Sequence, residues 1–301
     1  MASVKELRIR IKSVGSIKQI TRAMEMVATT KLRRFQDRAT SSRPYATEIS
    51  GLVQRLAAVL GEDGVKNLPL FREGEGDKTL ALVVTSDRGL CGAYNSNLLG
   101  TVEKWRAGLD GDVDYYIYGR KGFQYMSARD FEVKGLLTEP PLESTDYRNA
   151  ATTSKMLERH FLSGEYKQVV LIYSAFESMA KYVPTVLPFL PLSGNASEDQ
   201  AEGGAEGAAE ADSLGGADVI LEPDAQTIFE RLVPRFLETR IYNVLLESLT
   251  SEYASRRFAM KNATDAATDM QKALRGVYNR KRQENITKEL LDIVGGAEAV
   301  K

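Results

Sequence analysis

The sequence has few of the residues on which site chemistry usually depends. It holds one cysteine, Cys91, and one histidine, His160, in 301 residues. A lone cysteine excludes an intrachain disulfide, a four-cysteine metal site and a CxxC redox pair, and a reducing compartment is its simplest home. Neither the G-x-G-x-x-G nor the G-x-x-x-x-G-K-[ST] spacing of a phosphate cradle occurs. No apolar run approaches the ~20 residues of a membrane span. From Met1 the chain passes directly into a basic amphipathic segment, residues 4–27, without an apolar signal core or cleavage site. A mitochondrial presequence would share that character, but the regular heptads argue for a structural helix.

What is present is a real core and an uneven charge. Apolar residues make up 43% of the chain and the formal net charge is only -1, so the chain is globular and the total suggests no polyanion partner. The total conceals a pattern. Residues 1–58 hold twelve Lys or Arg against four Asp or Glu, and residues 231–301 hold thirteen against nine, whereas residues 182–230 contain ten acids and no Lys or Arg. Two basic segments therefore flank an acidic one.

Both basic segments read as long helices. Residues 225–296 carry the helical rhythm with Asp224 as N-cap, and apolar residues at Ala263, Ala267, Met270, Leu274 and Val277 alternate steps of four and three, as in a two-stranded seam. Pro234 should kink this helix, Gly276 weakens it by about 1 kcal/mol relative to Ala, and Gly295-Gly296 supply a stop. The rhythm resumes through Ile286, Leu290 and Ile293. A helix this long needs a partner, and residues 1–60 offer one. There the seam is Val4, Leu7, Ile11 and Val14, then, after a slip of phase, Ile17, Ile20, Met24 and Val27. Residues 61–76 break that first helix.

Residues 77–192 change period. Continuous β-rich runs at 79–85, 114–118 and 168–174, a short strand at 132–137 and an edge strand at 183–192 alternate with helices at 96–109, 122–128 and 147–162. That alternation is an α/β domain with a buried parallel sheet. Residues 193–222 are rich in Ala, Gly and Glu and lack aromatic residues, the composition of an acidic flexible insertion.

Candidates for chemistry are few. Ser86-Asp87-Arg88-Gly89-Leu90-Cys91-Gly92 follows the first strand, where α/β domains bind ligands. Without a phosphate-loop spacing it reads as a tight structural turn capped by Asp87. Cys91 in such a turn is inert packing, and His160 on a helix is a packed or solvated residue. Lys31, Arg33, Arg34, Arg38 and Arg43 form the strongest basic cluster, but only Phe35 and Tyr45 are interleaved with it, so nucleic acid is the weaker use of this charge and acidic protein loops or lipid headgroups are at least as fitting. Near the far end of the second helix, Arg282 to Ile286 and Gln283 to Thr287 are four-residue steps on neighbouring stripes. Their crowding of donors suits a helix end surrounded by another protein rather than a merely wet surface.

Three blocks carry a resemblance: residues 11–28 (IKSVGSIKQITRAMEMVA) with 42–45 (SRPY); 86–92 (SDRGLCG) with Asn95; and 247–252 (ESLTSE) through 259–265 (AMKNATD) to 286–297 (ITKELLDIVGGA). In order and spacing, over nearly the whole chain, they resemble the gamma subunit of F-type ATP synthases. That resemblance implies a mixed architecture: a long antiparallel coiled coil of the terminal helices plus a Rossmann-like α/β domain. It implies a non-catalytic rotor shaft without a cofactor, coupling proton- or sodium-driven rotation of a ring of c subunits to conformational cycling of catalytic beta subunits. The implied partners are the alpha and beta subunits as a hexamer, the epsilon subunit and the c-ring, with no nucleic acid, at the cytoplasmic face of a bacterial inner membrane through the complex. Arg282, Gln283 and Thr287 match family positions that meet beta-subunit loops, Glu252 and Arg256 match positions one level lower, and Met24 matches a position whose neighbourhood affects coupling. Cys91, alone, excludes the cysteine-pair switch of plastid members. The other readings are a nucleotide-binding α/β protein with a coiled-coil arm, a module for nucleic acid or a membrane surface, and a free-standing coiled-coil scaffold. Small residues at Ala263, Ala267 and Ala273 make the last a poor zipper.

Overall fold

A computed structural model describes residues 3–66, 68–179, 181–192 and 224–298. The acidic insertion expected at 193–222 lies outside the described residues. Two helices dominate in length: α1 (Val4–Lys66) and α5 (Ala225–Glu298). Asp224 caps α5 as its sequence position suggests, accepting from the Thr227 N–H at 2.8 Å. The helix then runs through Pro234 and Gly276, and the Gly295-Gly296 pair does not stop it short of Glu298. In α1 the break expected from residue 61 onward is one residue wide: Gly61 leaves the helical region (φ 71, ψ 168) and a last helical stretch follows to Lys66.

The chain divides into two compact units, residues 31–255 and residues 1–30 with 256–301. The first contains a five-stranded sheet of order β3-β2-β1-β4-β5. β1 (Lys78–Val84), β2 (Val113–Tyr118), β3 (Glu132–Leu137) and β4 (Tyr166–Phe176) are parallel, and β5 (Tyr182–Leu190) returns antiparallel to β4. Helices α2 (Tyr94–Ala107), α3 (Arg120–Ser127) and α4 (Tyr147–Leu162) make the crossovers. The strands are apolar on both faces because both are covered. Ala81, Val83, Ile117 and Ile172 pack against Leu98 and Val102 of α2 and Met126 of α3, while Leu80, Leu82 and Val84, pointing the other way, are equally inaccessible. Each such aliphatic side chain contributes roughly 1.5–3 kcal/mol. At the open edges, β3 carries the charged pair Glu132 and Lys134, and β5 contains Pro184 and Pro188.

The second unit is a pair of helical segments. Thr264 Oγ1 donates to Thr21 Oγ1 at 2.8 Å. Six residues back on α1, a Cβ on Gly15 would lie 2.9 Å from Gln271 Nε2, seven residues forward on α5. The segments are therefore antiparallel. Their inward positions keep heptad steps but not the expected residues. On α1 they are Val4, Leu7, Ile11, Val14, Lys18, Thr21, Glu25 and Ala28, with no slip of phase; Ile17, Ile20 and Val27 are more than half exposed. On α5 they are Met260, Thr264, Ala267, Gln271, Leu274 and Tyr278, whereas Met270 and Val277 point to solvent. The inward stripe mixes apolar residues such as Leu7, Ile11 and Leu274 with small and polar ones such as Thr21, Ala28, Thr264 and Gln271, and several larger apolar side chains remain outside. The hydrophobic rhythm of the sequence thus followed the wrong stripe in part.

Candidate functional site

Strand order reverses between β1 and β4, because the chain goes β1 to β2 to β3 on one side and crosses to β4 on the other. The crevice beyond the carboxyl ends of two such strands is where an open α/β sheet usually takes a ligand. Here α5 occupies it. Ser251 Oγ donates to the Ser174 carbonyl at 3.0 Å, Ser255 Oγ to the Cys91 carbonyl at 2.6 Å, and Tyr94 Oη to the Ser248 carbonyl at 3.3 Å. Tyr182 Oη lies 2.9 Å from Ser255 Oγ. Ser248, Ser251 and Ser255 follow steps of three and four, one face of the helix, and all three are buried. The place where the fold would hold a nucleotide is filled by the chain itself.

The turn between β1 and α2 is built for that packing. Ser86 is inaccessible, its N–H donating to Asn95 Oδ1 at 3.1 Å and its hydroxyl to the Arg88 carbonyl at 2.8 Å. Leu90 (φ 63) and Gly92 (φ 58) take left-handed conformations. Asp87 does not cap this turn: its Oδ1 accepts from the Arg120 N–H at 3.2 Å, at the start of α3. Cys91 Sγ is buried 3.3 Å from Asn95 Nδ2, out of reach of a substrate. His160 is likewise structural, its Nε2 3.0 Å from Tyr116 Oη and its ring edge-on to Tyr166.

The basic cluster of α1 splits. Lys31 and Arg38 turn inward: Lys31 Nζ pairs with the Glu143 carboxylate and donates to Tyr253 Oη, while Arg38 Nη2 donates to the Thr145 carbonyl at 2.8 Å and to Tyr242 Oη at 3.1 Å. Arg33, Arg34 and Arg43 stay exposed. Burial opposes ionisation of Glu143, but hydrogen bonds from Lys31 and Tyr253, with the charges of Lys31 and Arg88, outweigh it and hold the carboxyl below the ordinary range. Glu158 goes the other way: burial, with Glu238 nearby, raises its carboxyl although Ser154 donates to it at 2.6 Å and Lys155 lies near. These groups fasten elements together.

Exposed surface on the helical unit is of another kind. Arg282, Gln283 and Thr287 all lie open on α5. Beside them Ile286, Leu290, Leu291, Ile293 and Val294 are exposed too. The apolar rhythm there is outward, not part of the intrachain seam as the sequence suggested. Met24 is half-buried. Glu252 and Arg256, a helical turn apart, are only 4% and 7% exposed. The structure thus brings Arg282, Gln283 and Thr287 together on open surface and withdraws the other two. The sequence reading missed the exposed rows of α1, Ile17, Ile20, Met26 and Val27; their signal was apolar residues in excess of what one seam can seat.

A family model described as ATP synthase matches residues 3–300. The ATP synthase gamma chain of Cytophaga hutchinsonii is 39% identical over 310 residues, covering 100% of this chain and 99% of that one. The gamma chain of Nitratidesulfovibrio vulgaris is 39% identical over 305 residues, covering 100% of each. Among solved structures, a chain of the Tetrahymena thermophila mitochondrial ATP synthase central stalk and c-ring is similar with TM-score 0.58 and 25% identity, over 81% of this chain and 99% of that one. A chain of the Euglena gracilis mitochondrial ATP synthase shares the fold with TM-score 0.65 at 17% identity, over 99% and 94%.

Proposed function

The chain belongs to the ATP synthase gamma-chain family, and from that premise we propose how its surfaces serve the rotor. It is a non-catalytic subunit of the central stalk; ATP chemistry belongs to the beta subunits. The helical unit stands within the hexamer of alpha and beta subunits, and the sheet-bearing unit meets the epsilon subunit and the c-ring. Proton or sodium flow turns the ring at the cytoplasmic face of a bacterial inner membrane, and the shaft turns with it.

One observation carries this reading: the helical unit leaves apolar rows and a group of hydrogen-bond donors on its outside, in excess of what its inner stripe seats. Such rows need cover from another protein. Because they differ around the shaft, rotation presents each beta subunit with different contacts in turn. A ligand or partner shifts a conformational equilibrium only through such differential contacts. Beta-subunit contact falls first to Arg282, Gln283 and Thr287. For Met24, Glu252 and Arg256 it is confined to the rim of each side chain.

The test is the assembled complex. A tagged chain should recover alpha and beta subunits as one copy per hexamer, by mass of the intact particle. Gln283→Ala with Thr287→Ala should lower coupled ATP turnover by about fivefold, the weight of roughly 1 kcal/mol of hydrogen bonding, with stability of the free chain unchanged. Recovery without those subunits, or unchanged turnover, overturns the assignment of this surface.

A further inference from the structure

A short stretch ahead of α4 joins the sheet to both long helices by directional polar bonds. Residues 142–144 form a single 3-10 turn, and the three alternate residues that follow its start each grip a helix. The Glu143 carboxylate accepts from Lys31 Nζ on α1 and from Tyr253 Oη on α5. The Thr145 carbonyl accepts from Arg38 Nη2 on α1 at 2.8 Å. Tyr147 Oη donates to Glu238 on α5 at 3.2 Å, and Glu238, itself buried, is held by Arg235 Nη1 at 2.9 Å. Rings close the gaps: Tyr253 stacks on Phe35 at 5.5 Å and Tyr147 meets Tyr242 edge-on at 5.7 Å.

Through α4 the stretch is tied to the sheet, where Thr153 Oγ1 lies 2.6 Å from Tyr118 Oη on β2. Asp146 begins α4 with a reciprocal cap, accepting from the Asn149 N–H at 3.0 Å while its own N–H donates to Asn149 Oδ1 at 3.2 Å. α4 leads directly into β4. Apolar packing is non-directional, so it fixes the angle of a helix only through the fit of side chains. Hydrogen bonds weaken steeply with angle, and charge-assisted ones are about twice as strong as neutral ones. Bonds of the second kind are what resist twisting of two helices against a sheet.

We propose that residues 143–147 are a torque-bearing strap that locks α1 and α5 to the sheet, with Glu143 as its central positioning residue. The proposal rests on the rotor reading above. A strap failing under load loses work before it loses catalysis, because ATP hydrolysis by the hexamer needs only a turning shaft whereas pumping against a gradient needs an unyielding one.

The experiment uses the whole complex in inverted membrane vesicles. Glu143→Ala and Tyr253→Phe are compared with the parent for ATP hydrolysis and for ion pumping per ATP, with and without an opposing gradient. Hydrolysis should stay within about twofold, while pumping per ATP against the gradient falls about fivefold or more in Glu143→Ala, the weight of at least one of the two hydrogen bonds it removes. Glu143→Asp should restore part of it, and adding Lys31→Ala to Glu143→Ala should add little. Equal pumping under load in Glu143→Ala and parent overturns the strap. So does a parallel fall in hydrolysis and pumping in the assembled variants, which marks a merely structural residue. If Glu143→Ala fails to assemble, Tyr253→Phe, which removes one hydroxyl, decides by the same ratio. A vesicle whose parent pumping is indifferent to omission of this chain refutes the rotor reading instead.

Discussion

Replacing Ser251 and Ser255 together by alanine should loosen α5 from the sheet and do so by a calculable amount. Ser251 Oγ serves the Ser174 carbonyl, which lies beyond Ile172, the last β4 residue paired with β1. Ser255 Oγ serves the Cys91 carbonyl, in a turn already committed to left-handed backbone at Leu90 and Gly92. Both serines are buried, so neither carbonyl regains water when the hydroxyl is removed. The Ser174 carbonyl, orphaned in a buried place, costs about 1–3 kcal/mol, whereas the Cys91 carbonyl keeps the Tyr94 N–H at 3.2 Å and loses only the ~1 kcal/mol of an ordinary hydrogen bond. The two sites share no acceptor, so the double variant should lose about 2–4 kcal/mol. Urea unfolding of the full chain would read this as a lower midpoint at an unchanged slope. Ser16→Ala, which removes an exposed bond within one helix, should change stability by less than about 0.5 kcal/mol. A double variant as stable as that control would refute the view that α5 closes the crevice by hydrogen bonding.

Other outcomes follow from the same structure. Leu274→Ala should destabilise the chain by about 1–2 kcal/mol, scaled down from a full core deletion because the site is half-buried, and Val277→Ala by under about 0.5; a reversed order in thermal unfolding would restore the seam read from the sequence. Gly119 (φ 92) would carry a Cβ 2.2 Å from the Thr85 carbonyl oxygen, so Gly119→Ala should lose at least about 3 kcal/mol, measured by the same unfolding assay. Two carboxyls should give opposite pH signatures. Glu143, lowered in the folded chain, stabilises it at neutral pH, and the parent's advantage over Glu143→Gln should vanish as pH falls through that lowered value. Glu158, raised chiefly by burial, penalises the fold when charged, so Glu158→Gln should be the more stable at pH 8 and lose its lead as the solution is acidified. Paired melting curves across pH would show both, and slopes of like sign would refute the assignment.

Legibility in the sequence depended on the length scale of the interaction. Strands such as β1 and β4 announce themselves by continuous β-branched and aliphatic runs because both faces are covered. The long helices were equally plain, but their facing was not. Ile17, Ile20, Met270 and Val277 are apolar and exposed, whereas Thr21, Thr264 and Gln271 are polar and turned inward. Periodicity records which residues avoid water in the assembled state, and for a shaft that includes surfaces only a partner covers. Contacts made across the chain left no trace at all. Glu143 meets Lys31 112 positions away and Tyr253 110 positions away, and nothing local to any of the three predicts the meeting.

The edges of the sheet have a consequence for the chain before it finds its partners. A newly made shaft carries long apolar rows with nothing yet to cover them, a dangerous condition in a crowded cell. An open strand in the same chain would invite copies to join edge to edge. Here β5 interrupts its own ladder with Pro184 and Pro188, and β3 sets Glu132 beside Lys134, both devices that blunt strand addition. The waiting subunit therefore stays available for assembly, sticky only along the surfaces that assembly will close.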